Sequence, residues 1–176
     1  VPTFGQQETL RDAPALLTQL AEVRTDTARI LLQCKLGEAY RSNKPDTSSL
    51  LANEALSKST ELKFKKAEIH SLLVLCVLQR EKGDLPNALE LGLKALRLAQ
   101  DEELPSEEVM SAVRVAVVYL AVKDLPKAIS YLKSVDDLLQ KNYDDFTRFA
   151  ADYFLGVAYE QSNDLGAAEK QMEILQ

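Results

Sequence analysis

The sequence predicts an all-α protein built from repeated helix pairs, and three observations support this. The segment Asp-Leu-Pro-Asn-Ala at Asp84 returns as Asp-Leu-Pro-Lys-Ala at Asp124 and, at the same interval again, as Asp-Leu-Gly-Ala-Ala at Asp164. Apolar residues elsewhere keep the spacing of amphipathic helices, and no stretch alternates as a strand would. Gly and Pro number only 6 each and stand at the apparent boundaries. A fixed period of this length indicates a solenoid.

Each copy of this segment is suited to start a helix. An aspartate side chain caps the first free N–H groups of a helix, and a proline in the first turn gives up an N–H that has no partner there. The alanine four residues later marks a close approach of two helices. Small residues also recur with the same period at Cys76, Ala116 and Gly156.

The elements follow from this pattern in chain order. Residues 1–7 are expected to form a tail, and residues 8–20 a short amphipathic helix. Thr25, Asp26 and Thr27 offer caps for the next helix, Gly83 is a C-terminal stop, and Ser106 is expected to cap a later helix. The predicted helices cover residues 28–42, 47–61, 65–82, 85–99, 106–122 and 125–140, then a helix capped from residues 142–145 that ends at 162, and a last helix from 165 to 176.

These residues resemble the tetratricopeptide repeat (TPR), in which an apolar-small pair precedes a tyrosine, a Gly-Asp turn and an alanine. Leu36-Gly37-x-x-Tyr40 and Leu155-Gly156-x-x-Tyr159 are the clearest copies of the pair. The residues that carry the resemblance are Gly37, Tyr40, Gly83, Asp84, Ala88, Ala116, Tyr119, Asp124, Ala128, Gly156, Tyr159, Asp164 and Ala168.

The TPR resemblance implies a right-handed superhelix of about four helix-turn-helix repeats. The array is expected over residues 25–176, with repeats near 28–62, 65–100, 106–141 and 144–176, after a tail and short helix in residues 1–24. The first repeat departs most, because it lacks a Gly-Asp turn. Met172 and Leu175 would lie on the inward stripe of the last helix, so the native protein is expected to continue.

The front of the chain is similar to the TPR sensor regions of Bacteroidetes-type histidine kinases. Leu16-Leu17-x-x-Leu20, Asp26-Thr27-x-Arg29 and Ala52-x-x-Ala55-Leu56 carry this likeness. It implies a non-catalytic signal-input domain of a two-component system, placed outside the cytoplasm or in the periplasm, with a membrane helix and a kinase following. The alternative is a cytoplasmic TPR scaffold or adaptor that binds a peptide or partner helix.

The TPR resemblance also implies a binding face, because TPR arrays bind partners along the concave side lined by the first helix of each pair. Arg80 and Arg114 would orient an acidic group in this groove. The alternative is that neighbouring helices or a second copy of the chain cover the face. The expected lining residues are Glu38, Leu73, Val77, Arg80, Val113, Arg114, Val117, Leu120, Tyr153, Val157 and Glu160.

The composition and motifs indicate no catalytic, metal or cofactor site. A net charge of −6 argues against a nucleic-acid partner, and the apolar runs fall short of the ~18 residues that indicate a membrane span. His70 is the single histidine, which gives no metal site or catalytic dyad, and no glycine-rich phosphate loop occurs. We therefore expect no cofactor, no metal and no enzymatic activity. Cys34 and Cys76 are expected to be buried thiols, although a disulfide stays open.

Overall fold

The computed structural model describes residues 6–140 and 145–174, and the described part of the chain is helical without a strand. The helices are α1 Gln6–Glu22, α2 Asp26–Tyr40, α3 Pro45–Glu61, α4 Lys65–Glu81, α5 Leu85–Asp101, α6 Pro105–Ala121, α7 Leu125–Lys133, α8 Asp136–Leu139, α9 Asp145–Gln161 and α10 Leu165–Glu173. The all-α prediction is confirmed.

Most of the helices begin at equal intervals along the chain. The helices α3 to α7, α9 and α10 begin at residues 45, 65, 85, 105, 125, 145 and 165. Five of them, α3, α4, α5, α6 and α9, have the same length of 17 residues. The backbone period is therefore half of the sequence period, which is the interval from Asp84 to Asp124.

The turns between these helices share one conformation. In the turn after α4, the Gly83 N–H donates to the Arg80 carbonyl and the Asp84 N–H donates to the Gln79 carbonyl. This is the Schellman pairing, which satisfies the last carbonyls of a helix and places one residue in the left-handed region. The same paired bonds close the other turns of this kind. The left-handed residues are Lys63, Gly83, Glu103, Lys123 and Asn163.

The sequence period comes from the residue that follows the left-handed one. Asp84, Asp124 and Asp164 each accept a hydrogen bond from a backbone N–H three residues ahead, at 3.1–3.3 Å, as predicted. Phe64 and Leu104 hold the same place in the alternate turns, make no side-chain cap bond, and pack against the core instead. Turns with an aspartate cap therefore alternate with turns in which an apolar side chain packs on the core, and all of these turns share one backbone conformation.

Replacing Lys123 by glycine should stabilise the protein. Lys123 has a φ of 63°, where any residue with a Cβ is strained, and glycine removes that strain. Glycine also makes the unfolded chain more flexible, which offsets part of the gain. Lys123→Gly should therefore raise the free energy of unfolding by about 0.5–1 kcal/mol. Urea unfolding followed by circular dichroism measures the change. Gly83→Ala is the reciprocal control, because no atom lies within 4 Å of an added Cβ and only backbone strain changes. A stabilising Gly83→Ala would contradict this account.

The helices pair as the repeat pattern predicts. We call α2, α4, α6 and α9 the A helices, and α3, α5, α7–α8 and α10 the B helices. Each A helix packs on its own B helix and on the next A helix, and α1 packs on α2. Successive A helices contact each other more closely than successive B helices do, so the array curves with the A helices on its inner face.

Residue sizes are complementary where an A helix meets its own B helix. In repeat 2, a Cβ added to Gly92 would lie 3.3 Å from the Cys76 sulfur and 3.1 Å from the nearest methyl of Val115. In repeat 4 the sizes are reversed, and Met172 fills the space over Gly156, 3.1 Å from its added Cβ. The predicted small residues Ala88, Ala116 and Ala128 are all fully buried. Close packing of this kind requires small and large residues to be matched across each contact.

Three local predictions need correction. The single helix expected over residues 125–140 is wrong, because the chain leaves the helix at Ser134 and Val135 and α8 is a separate short turn. Ser106 does not cap α6, because Pro105 already opens that helix and the N-cap is Leu104. Gln6 and Gln7 belong to α1 and not to a tail, and residues 1–5 lie outside the described residues. The predicted caps at 142–144 also lie outside them.

Candidate functional site

The inner face of the array is less apolar than the sequence predicted. Leu73, Val77, Val113 and Leu120 were expected to line a groove, but all four are buried, with Leu73 only 4% exposed and Val77 1%. Leu73 lies in a core cluster with Ala95 and Ala99 of α5. The prediction that these four residues offer a binding surface is wrong. Neighbouring helices cover them, which was the alternative.

The other predicted residues are at least partly exposed on the A helices. Glu38, Arg80, Arg114, Val117 and Val157 are half-buried, and Tyr153 and Glu160 are exposed. We call this set the inner-face residues. They combine charged groups on α2, α4, α6 and α9 with apolar side chains on α6 and α9 and one aromatic side chain on α9.

An ion network crosses the inner face from repeat 1 to repeat 3. Arg114 on α6 donates to Glu38 on α2 at 3.1 Å, and Arg41 at the end of α2 donates to Glu81 on α4 at 2.9 Å. Arg80 lies 3.8 Å from the same Glu81 oxygen, which is beyond hydrogen-bond distance. We call Arg41, Arg80 and Arg114 the arginine cluster.

Two members of the network were not predicted, although the sequence held a signal for one contact. Arg41 and Glu81 have opposite charge and lie at the C-terminal ends of the successive A helices α2 and α4. Stacked repeats bring the equivalent ends of successive A helices together, which makes this pair readable from the sequence. The Glu38–Arg114 pair joins residues 76 apart and skips a repeat, so only the curvature of the array reveals it.

The described residues do not fully neutralise the arginine cluster. Three guanidinium groups face two carboxylates, and burial lowers the pKa of Arg80, with the neighbouring Arg41 and Arg114 charges acting in the same direction against Glu81. Within the described residues, Arg80 makes no hydrogen bond through its guanidinium, and the Nε of Arg41 is buried without a hydrogen-bond partner, 3.9 Å from Glu38 Oε1. Donors on the inner face are therefore left unused.

The second polar cluster lies between the first turns of α4 and α6. Glu107 is buried, and its Oε1 accepts from Lys66 at 2.9 Å and lies 3.3 Å from His70 Nε2. Burial raises the pKa of Glu107, but the hydrogen bonds from Lys66 and His70 outweigh it and leave that pKa below its ordinary value. Burial lowers the pKa of His70 in spite of Glu107. Glu107 is therefore ionised and His70 neutral near pH 7.

Acid should destabilise the protein in two steps because of this cluster. Both groups have a lower pKa in the folded state, so the unfolded chain binds more protons as the pH falls. The free energy of unfolding should fall below pH 6.5, the ordinary pKa of His70, and again below pH 4.5, that of Glu107. Urea unfolding at pH 8, 6, 5 and 4 measures both steps.

The first step can be assigned because the chain has a single histidine. His70→Gln keeps a donor for Glu107 and should remove the fall between pH 7 and pH 5. Equal stability of the unmodified protein at pH 8 and pH 5 would contradict the assignment.

The cysteines are buried and free. The Cys34 sulfur lies 3.3 Å from the Ser71 hydroxyl. Burial raises the pKa of both thiols, to about 11 for Cys76, so they stay protonated. Within residues 6–140 and 145–174, no three metal-ligating side chains come together. In that same part of the chain, no helix combines the length and hydropathy needed to cross a membrane.

The comparisons with known proteins identify the fold. No protein-family model and no curated protein sequence matches the chain. Among solved structures, the apo form of RapI matches with a TM-score of 0.73 and 17% identity, over 97% of this chain and 62% of that one. BtubC (BKLC) from P. vanneervenii matches with a TM-score of 0.71 and 16% identity, over 98% and 72% of the two chains.

A third structure carries the repeat in its description. It is a putative kinesin light chain from Podosopora anserina with nearly identical TPR-like repeats, with a TM-score of 0.60 and 19% identity over 97% of this chain and 85% of that one. The fold is a TPR-like helical solenoid. The repeat that the sequence resembles is therefore confirmed as the architecture, while the likeness to histidine-kinase sensors stays a prediction.

Proposed function

We propose that the chain is a non-catalytic protein-interaction module. The observation that carries this proposal is Tyr153, which is 44% exposed on α9 of the inner face. It stacks on Phe149 at 6.3 Å and meets the edge of Phe154 at 5.4 Å. Exposed, rigidly held aromatic side chains are enriched among the residues that contribute most to protein–protein binding. TPR-like neighbours such as the kinesin light chain give the proposal further support.

The test compares binding by the protein and by Tyr153→Ala. Purified protein is immobilised, a soluble extract of the source organism is passed over it, and captured proteins are identified by mass spectrometry. We expect a partner that Tyr153→Ala loses and that Leu165→Ala retains, because Leu165 is equally an exposed apolar residue but lies at the start of α10. Equal capture by all three proteins would contradict a role for the inner face.

We further propose that the module is the input region of a bacterial histidine kinase, placed outside the cytoplasm. The support is the likeness of the segments around Leu16, Asp26 and Ala52 to TPR sensor regions. Sequencing the complete gene tests this, with a membrane-spanning segment and a kinase domain expected after Gln176. A fusion to alkaline phosphatase tests the compartment, because that reporter is active only outside the cytoplasm. A different output domain, or an inactive fusion, would favour the cytoplasmic adaptor.

A further inference from the structure

We propose that Glu38 is an internal competitor that occupies the arginine cluster, and that a carboxylate of an acidic partner segment displaces it. This inference rests on the proposed interaction function and names the chemistry of the partner and the contact that controls access. It follows from the geometry of the inner-face ion network.

The network holds one more positive group than negative groups. Arg41, Arg80 and Arg114 share the carboxylates of Glu38 and Glu81, and both glutamates use a single oxygen, Oε1, for every contact. Among the described residues, the ion pair of Arg80 is 3.8 Å long and goes to an oxygen that Arg41 already engages at 2.9 Å. A guanidinium presents five N–H donors in a planar fork that matches a carboxylate. The cluster therefore has the donors for one further carboxylate.

The two ion pairs differ in length and in the exposure of the arginine. Glu38 and Glu81 are similarly exposed, at 28% and 33%, but Arg114 is 35% exposed and Arg41 only 16%. The 2.9 Å bond from Arg41 to Glu81 is also the shortest contact of the network. Partly exposed ion pairs are weak and exchange with competing ions. An incoming carboxylate should therefore replace Glu38 on Arg114 before it replaces Glu81 on Arg41.

Displacement of Glu38 also breaks a contact between repeats 1 and 3, which we call the brace. The Glu38–Arg114 bond joins α2 to α6 across the intervening A helix, so it holds repeat 1 close to repeat 3. The curvature of a solenoid is a sum of small rotations between neighbouring repeats. Releasing the brace should let α2 and α6 move apart, which couples binding at the inner face to the separation of the repeats.

The test has a ligand-free arm. Spin labels are attached to Lys35→Cys on α2 and Ala121→Cys on α6, both exposed positions, and the distance between them is measured by pulsed electron resonance. The native thiols are buried with a raised pKa, so they are poor labelling sites. Glu38→Gln should lengthen or broaden the distance distribution relative to the labelled parent protein. Glu90→Gln, an exposed change of the same charge on α5, should leave it unchanged.

The binding arm uses a synthetic helical peptide with four glutamates on one face, and a matched peptide with glutamine at those positions. Glu38→Gln should bind the glutamate peptide roughly 3–10-fold more tightly than the parent protein, and Arg80→Gln should bind it roughly 3–10-fold more weakly. Glu90→Gln should match the parent protein, and the glutamine peptide should not bind.

The possible failures differ. In one outcome, the parent protein binds the glutamate peptide, but Glu38→Gln neither strengthens that binding nor changes the label distance. This result overturns the role of Glu38 and leaves the interaction function standing. Equal binding of both peptides overturns the acidic chemistry. Absence of peptide binding by every variant overturns the assignment of an acidic partner, and loss of the Tyr153-dependent partner as well would overturn the proposed function.

Discussion

Leu73→Ala is expected to lower the free energy of unfolding by about 2–5 kcal/mol, because it removes a buried side chain and leaves a cavity that rigid helices cannot close. Leu73 is 4% exposed and packs with Ile69, Ala95 and Ala99 between α4 and α5. The loss is large beside the roughly 5–15 kcal/mol that holds a typical domain together. Urea unfolding followed by the helical circular-dichroism signal measures it.

Tyr153→Ala is the matched control, because Tyr153 holds the same register as Leu73, two repeats later. Its side chain is 44% exposed and contacts Phe149 and Phe154, so its loss should cost only about 0.5–1.5 kcal/mol. Equal losses for the two variants would mean that register alone sets burial. A loss for Leu73→Ala as small as that expected for Tyr153→Ala would restore Leu73 as a groove residue.

Gly92→Leu is expected to cost about 3 kcal/mol, because overpacking of a filled contact forces side chains and helices apart. An added Cβ would already lie 3.1 Å from Val115 and 3.3 Å from Cys76, with the Val115 backbone at 3.9 Å. α5 and α6 would have to separate. The midpoint of urea unfolding should fall, and the helical signal before the transition should stay.

Cys76→Ala should recover part of this loss, because repeat 3 already contains that combination. Ala116 and Leu132 stand in the registers of Cys76 and Gly92 and share one buried cluster. A double-mutant cycle should give a favourable coupling between Gly92→Leu and Cys76→Ala. Strictly additive effects would show that these two positions do not set each other's size.

The repeat and its caps could be predicted because they depend on local chemistry. An aspartate before a helix, a proline in its first turn and small residues at a fixed interval act through contacts within a few residues. The left-handed residues Lys63, Glu103 and Lys123 could not be predicted, because lysine and glutamate do not favour that conformation. These residues are left-handed because the packed helices require the same turn conformation between each pair. The break at Ser134 has no comparable local signal.

The candidate site was harder to predict, because burial depends on how closely helices approach. Leu73 and Val77 lie on A helices and look like groove residues, but the neighbouring helices cover them. The sequence did indicate Arg80 and Arg114 as groups that receive an acid. It could not show that the first acid on Arg114 is Glu38 of the same chain, two repeats away.

The two nested periods constrain how such a chain can grow by gene duplication. Copying one helix and its turn between α3 and α7 would preserve the spacing of the helices. It would, however, place an apolar residue where an aspartate cap belongs, and it would exchange the A and B helices after that point. Copying a helix pair keeps both the turns and their chemistry. The unit of duplication is therefore the helix pair, although the backbone spacing alone would allow a single helix to be inserted. Insertions or deletions in homologous genes should accordingly come in whole pairs.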